Sequence, residues 1–195
     1  MTAAIGARLR DAAFARLLRT GAPASAGELA TDLAVPVEEV ESAIAALHGA
    51  GRIRLDARGH VAGSAGLSVT PDRHEIEIDG RRFWTWCAYD VLGIFGALGA
   101  NGTARSSSAQ GGKPLVVRFR DGRPEPSPLV MFMPDAFGCA NVYEEWCPNS
   151  NFFEDAAAAE TWSTTHQLPG RMLPLAEAGV LAAREWRPLV AGLRR

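Results

Sequence analysis

The chain has 195 residues, 47% of them hydrophobic and 22% charged, with a formal net charge of −2. That composition builds a core and excludes an intrinsically disordered chain, and the near-neutral balance gives no global attraction to nucleic acid or an anionic membrane. No apolar run approaches the ~20 residues that span a bilayer, nothing at the N-terminus reads as a signal peptide, and three cysteines suit free thiols better than a disulfide framework, so a cytoplasmic protein is expected.

Residues 4–20 carry Ile5, Leu9, Ala13 and Leu17 at helical spacing, followed by Gly21. Ser25-Ala26-Gly27-Glu28 has capping-box spacing and opens a short helix through Leu29 and Leu33. Pro36 suits the first turn of a third helix, with Val37, Val40, Ile44 and Leu47 on its apolar face and Gly49 and Gly51 at its end. Arg52–Leu55 and His60–Gly63 then alternate around Asp56-Ala57-Arg58-Gly59, the pattern of a β-hairpin. Three short helices and a hairpin make a winged helix-turn-helix-like region over residues 1–65. Its charges argue against DNA: seven arginines meet seven acids, and the third helix carries Glu38, Glu39 and Glu41 with no cation. A recognition helix needs cations toward phosphate, so this region is expected to pack on the rest of the chain.

The small residues Gly63 to Gly66 read as a linker and a boundary, with the second part over residues 66–195. Leu67–Thr70 and His74–Ile78 alternate as strands, and Asp79-Gly80 gives a tight turn into Arg81-Arg82-Phe83. A helix through Leu98 follows and ends at Gly99–Gly102. Thr103–Gly112 reads as a loop or edge strand, Leu115–Phe119 as a strand with a turn at Asp121-Gly122, and Leu129–Met133 as another strand. Gly138–Phe153 shows little regular pattern. Residues 156–166 and 175–191 read as helices, the latter with Arg184, Glu185 and Arg187 on its solvated side. Strands and helices without repeated βαβ units predict an α+β fold.

The chemistry is expected between Arg82 and Leu98. Phe83, Trp86, Cys87, Asp90, Val91 and Ile94 fall on one helical face, which sets Cys87 and Asp90 side by side. The segment is apolar nearly all round, so it should be buried. Desolvation then raises both pKa values, and the acid holds a proton it can later give away. Alone, a Cys-x-x-Asp is better read as a thiol packed like a small hydrophobe beside a carboxylate that reaches an edge. A second stretch, Trp146-Cys147-Pro148-Asn149-Ser150-Asn151-Phe152-Phe153, adds another thiol and changes that balance.

In order, the helical N-terminal region, Glu75–Asp79, Trp86-Cys87-Ala88-Tyr89-Asp90, Thr103-Ala104-Arg105, Cys147 with Phe152-Phe153, and Trp162 with His166 resemble the organomercurial (alkylmercury) lyases. The resemblance implies an α+β catalytic core of that type and a reaction that cleaves carbon–mercury bonds by protonolysis, giving a hydrocarbon and Hg(II). It implies Cys87, Asp90 and Cys147 as the catalytic set, with the same three holding product Hg(II). Soft thiolates suit mercury, and a carboxyl beside the metal can take a thiol proton and deliver it to carbon. No further cofactor is expected. The implied partners are an organomercurial substrate and a low-molecular-weight thiol or mercuric reductase that accepts Hg(II), with no nucleic acid and no membrane. The competing reading is a non-catalytic soft-metal-binding protein or sensor using the same cysteines, for which Asp90 has no purpose. The chain departs from the family pattern at Ser106-Ser107-Ser108, where many members carry a further Cys, and at Pro148–Asn151. Cys139 is an addition, read as a packed residue in preference to a third thiol beside Cys147.

Overall fold

Helices α1 (Thr2–Thr20), α2 (Ala26–Leu33) and α3 (Val37–Gly49) come first, then strands β1 (Ile53–Leu55) and β2 (Val61–Ser64). A computed structural model describes residues 2–135 and 138–191; Met1, Ala136, Phe137 and residues 192–195, which the expected regions 1–65 and 66–195 include, lie outside the described residues. The Ser25 hydroxyl accepts from the Glu28 N–H and the Glu28 carboxylate accepts from the Ser25 N–H, so the expected capping box is formed. Leu9, Ala13, Phe14 and Leu17 of α1 are fully buried against the other two helices and β2.

The small-residue stretch Gly63 to Gly66 is not a linker, and its first two residues are the end of β2. Ala65 and Gly66, at φ 48° and 86°, form a tight turn, and β2 pairs antiparallel with β3 (Leu67–Ser68) across it. The sheet therefore continues from the N-terminal hairpin into the second part. It goes on through β4 (His74–Ile78), β5 (Arg81–Thr85), β6 (Gly102–Ser107), β7 (Pro114–Arg120) and β8 (Arg123–Pro124) in the order β1-β2-β3-β5-β4-β6-β7-β8, every neighbouring pair antiparallel. Asp79-Gly80 and Asp121-Gly122 sit at positive φ in both residues, as two-residue hairpins of this hand require. The β6 segment, expected as a loop or edge, is an inner strand between β4 and β7, and only Ser108 to Gly112 turn away. Its polar sequence hid a register in which only Ala104 is fully buried.

The helix expected to run back to Phe83 is two elements. The backbone stays extended through β5 to Thr85, and α4 spans Ala88–Leu98. Phe83 and Thr85 alternate inward with a strand period, which overlaps the helical spacing of Phe83, Trp86 and Asp90. Val91, Leu92, Ile94 and Phe95 of α4 are fully buried, which contributes ~1.5–3 kcal/mol each. Helix α4 is enclosed by the large sheet, by a second sheet and by α6 (Leu175–Ala191). Gly93 lets the helices close together: a Cβ there would lie 2.4 Å from the Trp186 ring. The second sheet has the order β10-β9-β11, antiparallel, from β9 (Val130–Pro134), β10 (Asn151–Phe153) and β11 (Gly170–Pro174), of which the sequence pattern predicts only β9. Helix α5 (Ala156–Thr165) packs on it through Trp162, against Phe132 and Phe153. Among the described residues no helix is long and apolar enough to cross a membrane.

Candidate active site

Cys87 is not on a helical face; it is the extended residue, φ −152° and ψ 172°, that caps α4. Asp90 is the third residue of that helix, and its carboxylate accepts from the Cys87 N–H at 2.9 Å. The Asp90 N–H in turn faces the Cys87 sulfur. The Cys-x-x-Asp spacing is thus a capping box with a thiol where a hydroxyl usually stands. Adjacency of the two groups is correct; its cause is the helix cap.

The second thiol comes from a turn. A π-helical turn (Val142–Trp146) leads into a 3₁₀ turn (Cys147–Asn149), and the Ser150 N–H closes it on the Cys147 carbonyl at 3.2 Å. Ser150 is fully buried and fastens this turn to α4. Its carbonyl accepts from the Ala88 N–H at 3.0 Å and its hydroxyl from the Tyr89 N–H at 3.3 Å. Those are two of the N–H groups that a helix start leaves without partners. The capping demand of α4 therefore fixes where Cys147 stands.

The Cys87 sulfur, the Cys147 sulfur and a carboxylate oxygen of Asp90 lie within 4.8 Å of one another. Cys87 is 0% exposed, Cys147 2% and Asp90 6%. Cys147 and Asp90 face a cavity of about 740 Å³ whose wall also holds Trp86, Tyr89, Trp146 and Trp186, whereas Cys87 lies behind that wall. The turn at Ala65 and Gly66 closes the other side of Asp90. A Cβ on Gly66 would lie 2.2 Å from the Asp90 Oδ1, and the Trp186 Nε1 donates to the Ala65 carbonyl at 2.9 Å.

Burial pushes the Asp90 carboxyl from 3.8 up to about 7, against the pull of its bonds from the Cys87 thiol and N–H. Burial likewise pushes the Cys87 thiol well up, with the bond to Cys147 and the charge of Asp90 acting in the same direction. The acid is therefore poised at neutrality, and the inner thiol stays protonated until something takes its proton. His74, buried beside Phe152 and bonded through Nδ1 to the Ser106 hydroxyl at 2.7 Å, is held neutral, its pKa lowered by burial to about 3.

All three residues expected from sequence are brought together. Cys139 is a half-buried free thiol in the cavity wall, outside the 4.8 Å cluster, so it is neither the third member nor a fully packed residue. Its described neighbours Gly138 and Ala140 are exposed. His166 is exposed at the end of α5, its Nδ1 2.8 Å from the Trp162 carbonyl. The sequence pattern assigns no site role to Ser150 or Trp186 and suggests a linker where the Ala65-Gly66 turn stands. The turn had a signal, a small Gly-bearing pair between short alternating runs; Ser150 and Trp186 act through contacts far away in the chain.

The sequence profile of the alkylmercury lyase family, MerB, matches residues 67–186. An alkylmercury lyase of Staphylococcus epidermidis is 31% identical over 167 residues, 84% of this chain and 74% of that one. One of Streptomyces lividans is 28% identical over 181 residues, 91% of this chain and 80% of the other. In three dimensions the chain is similar to the mercury-bound form of MerB2, with a TM-score of 0.81 and 24% identity over 90% of this chain and 86% of that one.

Proposed function

This chain belongs to the alkylmercury lyase family, and from that premise we propose that it cleaves carbon–mercury bonds by protonolysis, with Cys87, Asp90 and Cys147 as its catalytic residues. The substrate is an organomercurial, R–Hg–X. Cys147 meets the cavity, so its sulfur takes the mercury first and X leaves with the Cys147 proton. The Cys87 sulfur then adds from behind, and its proton passes to the Asp90 carboxylate. Two sulfurs now donate to mercury and weaken its bond to carbon. Asp90 returns the proton to carbon, the bonding pair of the Hg–C bond goes into the new C–H bond, and R–H leaves. Hg(II) remains on the two thiolates, with the Asp90 carboxylate again ionised beside it.

The observation that carries this reading is a buried carboxyl within 4.8 Å of two buried thiols at the wall of a cavity, where burial pushes its pKa up to about 7. A thiolate metal binder gains nothing from such an acid. General acid catalysis supplies ~10²–10⁴-fold and works best when the acid's pKa lies near the working pH. Prior assembly of all three groups removes the cost of bringing them together. We read Hg(II) as product, released to a small thiol or a mercuric reductase, with no resident cofactor. We also read residues 1–65 as a winged helix-turn-helix-like unit packed on the catalytic part, 66–195, and making no nucleic-acid contact. The exposed Glu38, Glu39 and Glu41 on α3 support that. Three free cysteines suit a reducing cytoplasm.

The test is hydrocarbon release from methylmercury or phenylmercury with excess thiol, followed by gas chromatography. Wild type releases methane or benzene, and Cys87→Ser, Asp90→Asn and Cys147→Ser each reduce release at least ~10²-fold. Release by the Cys87→Ser and Cys147→Ser variants at the wild-type rate overturns the mechanism, and mercury binding without release by wild type restores the sensor reading.

A further inference from the structure

The cavity that ends at Cys147 and Asp90 also has four arginines in its wall, from three elements and one connection: Arg10 of α1, Arg52 just before β1, Arg171 of β11 and Arg184 of α6. Arg52, Arg171 and Arg184 are exposed, so they stand where the cavity meets water. Among the described residues none of those three has a carboxylate within ion-pair distance. Arg10 reaches Asp11 at 3.6 Å, yet its buried Nε has no hydrogen-bond acceptor. Besides Asp90, the acids of the wall among the described residues are Asp135 and Glu185, and Glu185 accepts from the Tyr89 hydroxyl at 2.9 Å. The mouth is therefore positive while the chain as a whole carries −2. A neutral alkylmercury unit has no use for such a field.

Mercury(II) bonded to carbon takes one further strong ligand, in a linear arrangement, and in a thiol-rich medium that ligand is a thiolate. With mercury at Cys147, the carrier thiol lies opposite the organic group and must depart toward water. We propose that the arginine-lined mouth is a binding subsite for the carboxylates of a small anionic thiol that delivers the organomercurial. This rests on the function proposed above and names its substrate as a carboxylate-bearing thiol adduct. Delivery is a ligand exchange. The mercury–sulfur bond to the carrier breaks, one to Cys147 forms, and the Cys147 proton goes to the departing carrier thiolate. The arginines hold the carrier while this happens and raise its local concentration by attraction.

The experiment is single-turnover methane release, enzyme in excess and no free thiol, from preformed methylmercury adducts of mercaptosuccinate, mercaptoethanol and cysteamine, which carry anionic, neutral and cationic tails. Reaction follows the order anionic, neutral, cationic, and salt narrows the spread. Arg171→Gln and Arg184→Gln each lower the anionic-to-neutral ratio of kcat/KM about threefold to fivefold. Arg118→Gln, on the exposed side of β7, leaves that ratio unchanged. Equal rates for the three adducts in wild type, or ratios that the two cavity variants do not move, overturn the subsite while leaving the lyase reading intact. No methane from any adduct removes the lyase reading itself. A further arm uses a phenylmercury with a para-carboxylate on a mercaptoethanol carrier. If arginine dependence appears there and not with mercaptosuccinate, the mouth reads the organic group and delivery by the thiol is wrong.

Discussion

Asp90→Asn should make the mercury-free protein more stable at high pH, and by an amount that tracks pH. The Asp90 carboxyl moves from 3.8 unfolded to about 7 folded. Between those values the native state holds a proton that the unfolded state has lost, so stability falls as pH rises, by about 1.4 kcal/mol per unit. The full effect is present below the unfolded value and gone above the folded one, a total of about 4 kcal/mol. His74 acts in the opposite sense. Its pKa falls from 6.5 to about 3, so its contribution is present above the unfolded value and is lost as pH falls toward 3. The two slopes nearly cancel in wild type over much of the acid range, and a single profile would hide both. The difference between variant and wild type isolates Asp90. Asparagine keeps an oxygen that can accept from the Cys87 N–H and cannot ionise. Urea unfolding of both proteins, reduced and free of mercury, from about pH 5 to about pH 8, should show their gap widening by about 3 kcal/mol in favour of Asp90→Asn. A gap that stays constant across that range means that the carboxyl titrates at its ordinary value, and a proton carrier at neutral pH is then refuted.

The order of thiol engagement has its own readout. In a Cys139→Ser background, native mass spectrometry after stoichiometric methylmercury and desalting should find the alkylmercury retained by Cys87→Ser and lost from Cys147→Ser, because only Cys147 meets the cavity; the reverse result contradicts the order. Gly66→Ala puts a methyl group 2.2 Å from the Asp90 Oδ1 at a φ of 86°, so hydrocarbon release should fall at least ~10²-fold. Thermal unfolding should show a loss of only ~1–3 kcal/mol for that variant, and wild-type release would show that the carboxyl is not held by this turn. Ser150→Ala leaves the Tyr89 N–H without its acceptor and should cost about 1 kcal/mol in urea unfolding, with much of the loss recovered by Ser150→Thr.

Several elements were legible because local physics decides them. The Ser25 capping box, the Asp-Gly hairpins and the alternation of Leu115, Val117 and Phe119 inward are settled within a few residues. Cys87 and Asp90 were legible as neighbours for the wrong reason: three-residue spacing serves a helix face and an N-cap alike, and the strand before Cys87 borrowed the helical rhythm. Cys147 was found through resemblance, since nothing in Trp146–Asn151 predicts that a serine carbonyl and hydroxyl will cap a helix some sixty residues earlier. The turn at Ala65 and Gly66 is not legible as a turn because small residues suit linkers and tight turns equally. What separates the two is the pairing of Leu67 with Ser64, which only the folded sheet reveals. The arginines of the mouth come from four separate stretches of chain, so no window of sequence contains them.

The turn that packs on Asp90 lies just ahead of residue 67, where the family profile begins. A shortened protein cut to that span would keep both sulfurs and the acid. It would lose the lid on one face of the carboxyl, together with the anchor of the Trp186 indole. Water would then solvate the carboxylate, its proton affinity would drop toward that of an ordinary aspartate, and the shortened protein would grip mercury yet fail to release hydrocarbon. What keeps water off the Asp90 carboxyl thus includes a two-residue turn, Ala65 and Gly66, outside the span that the profile matches.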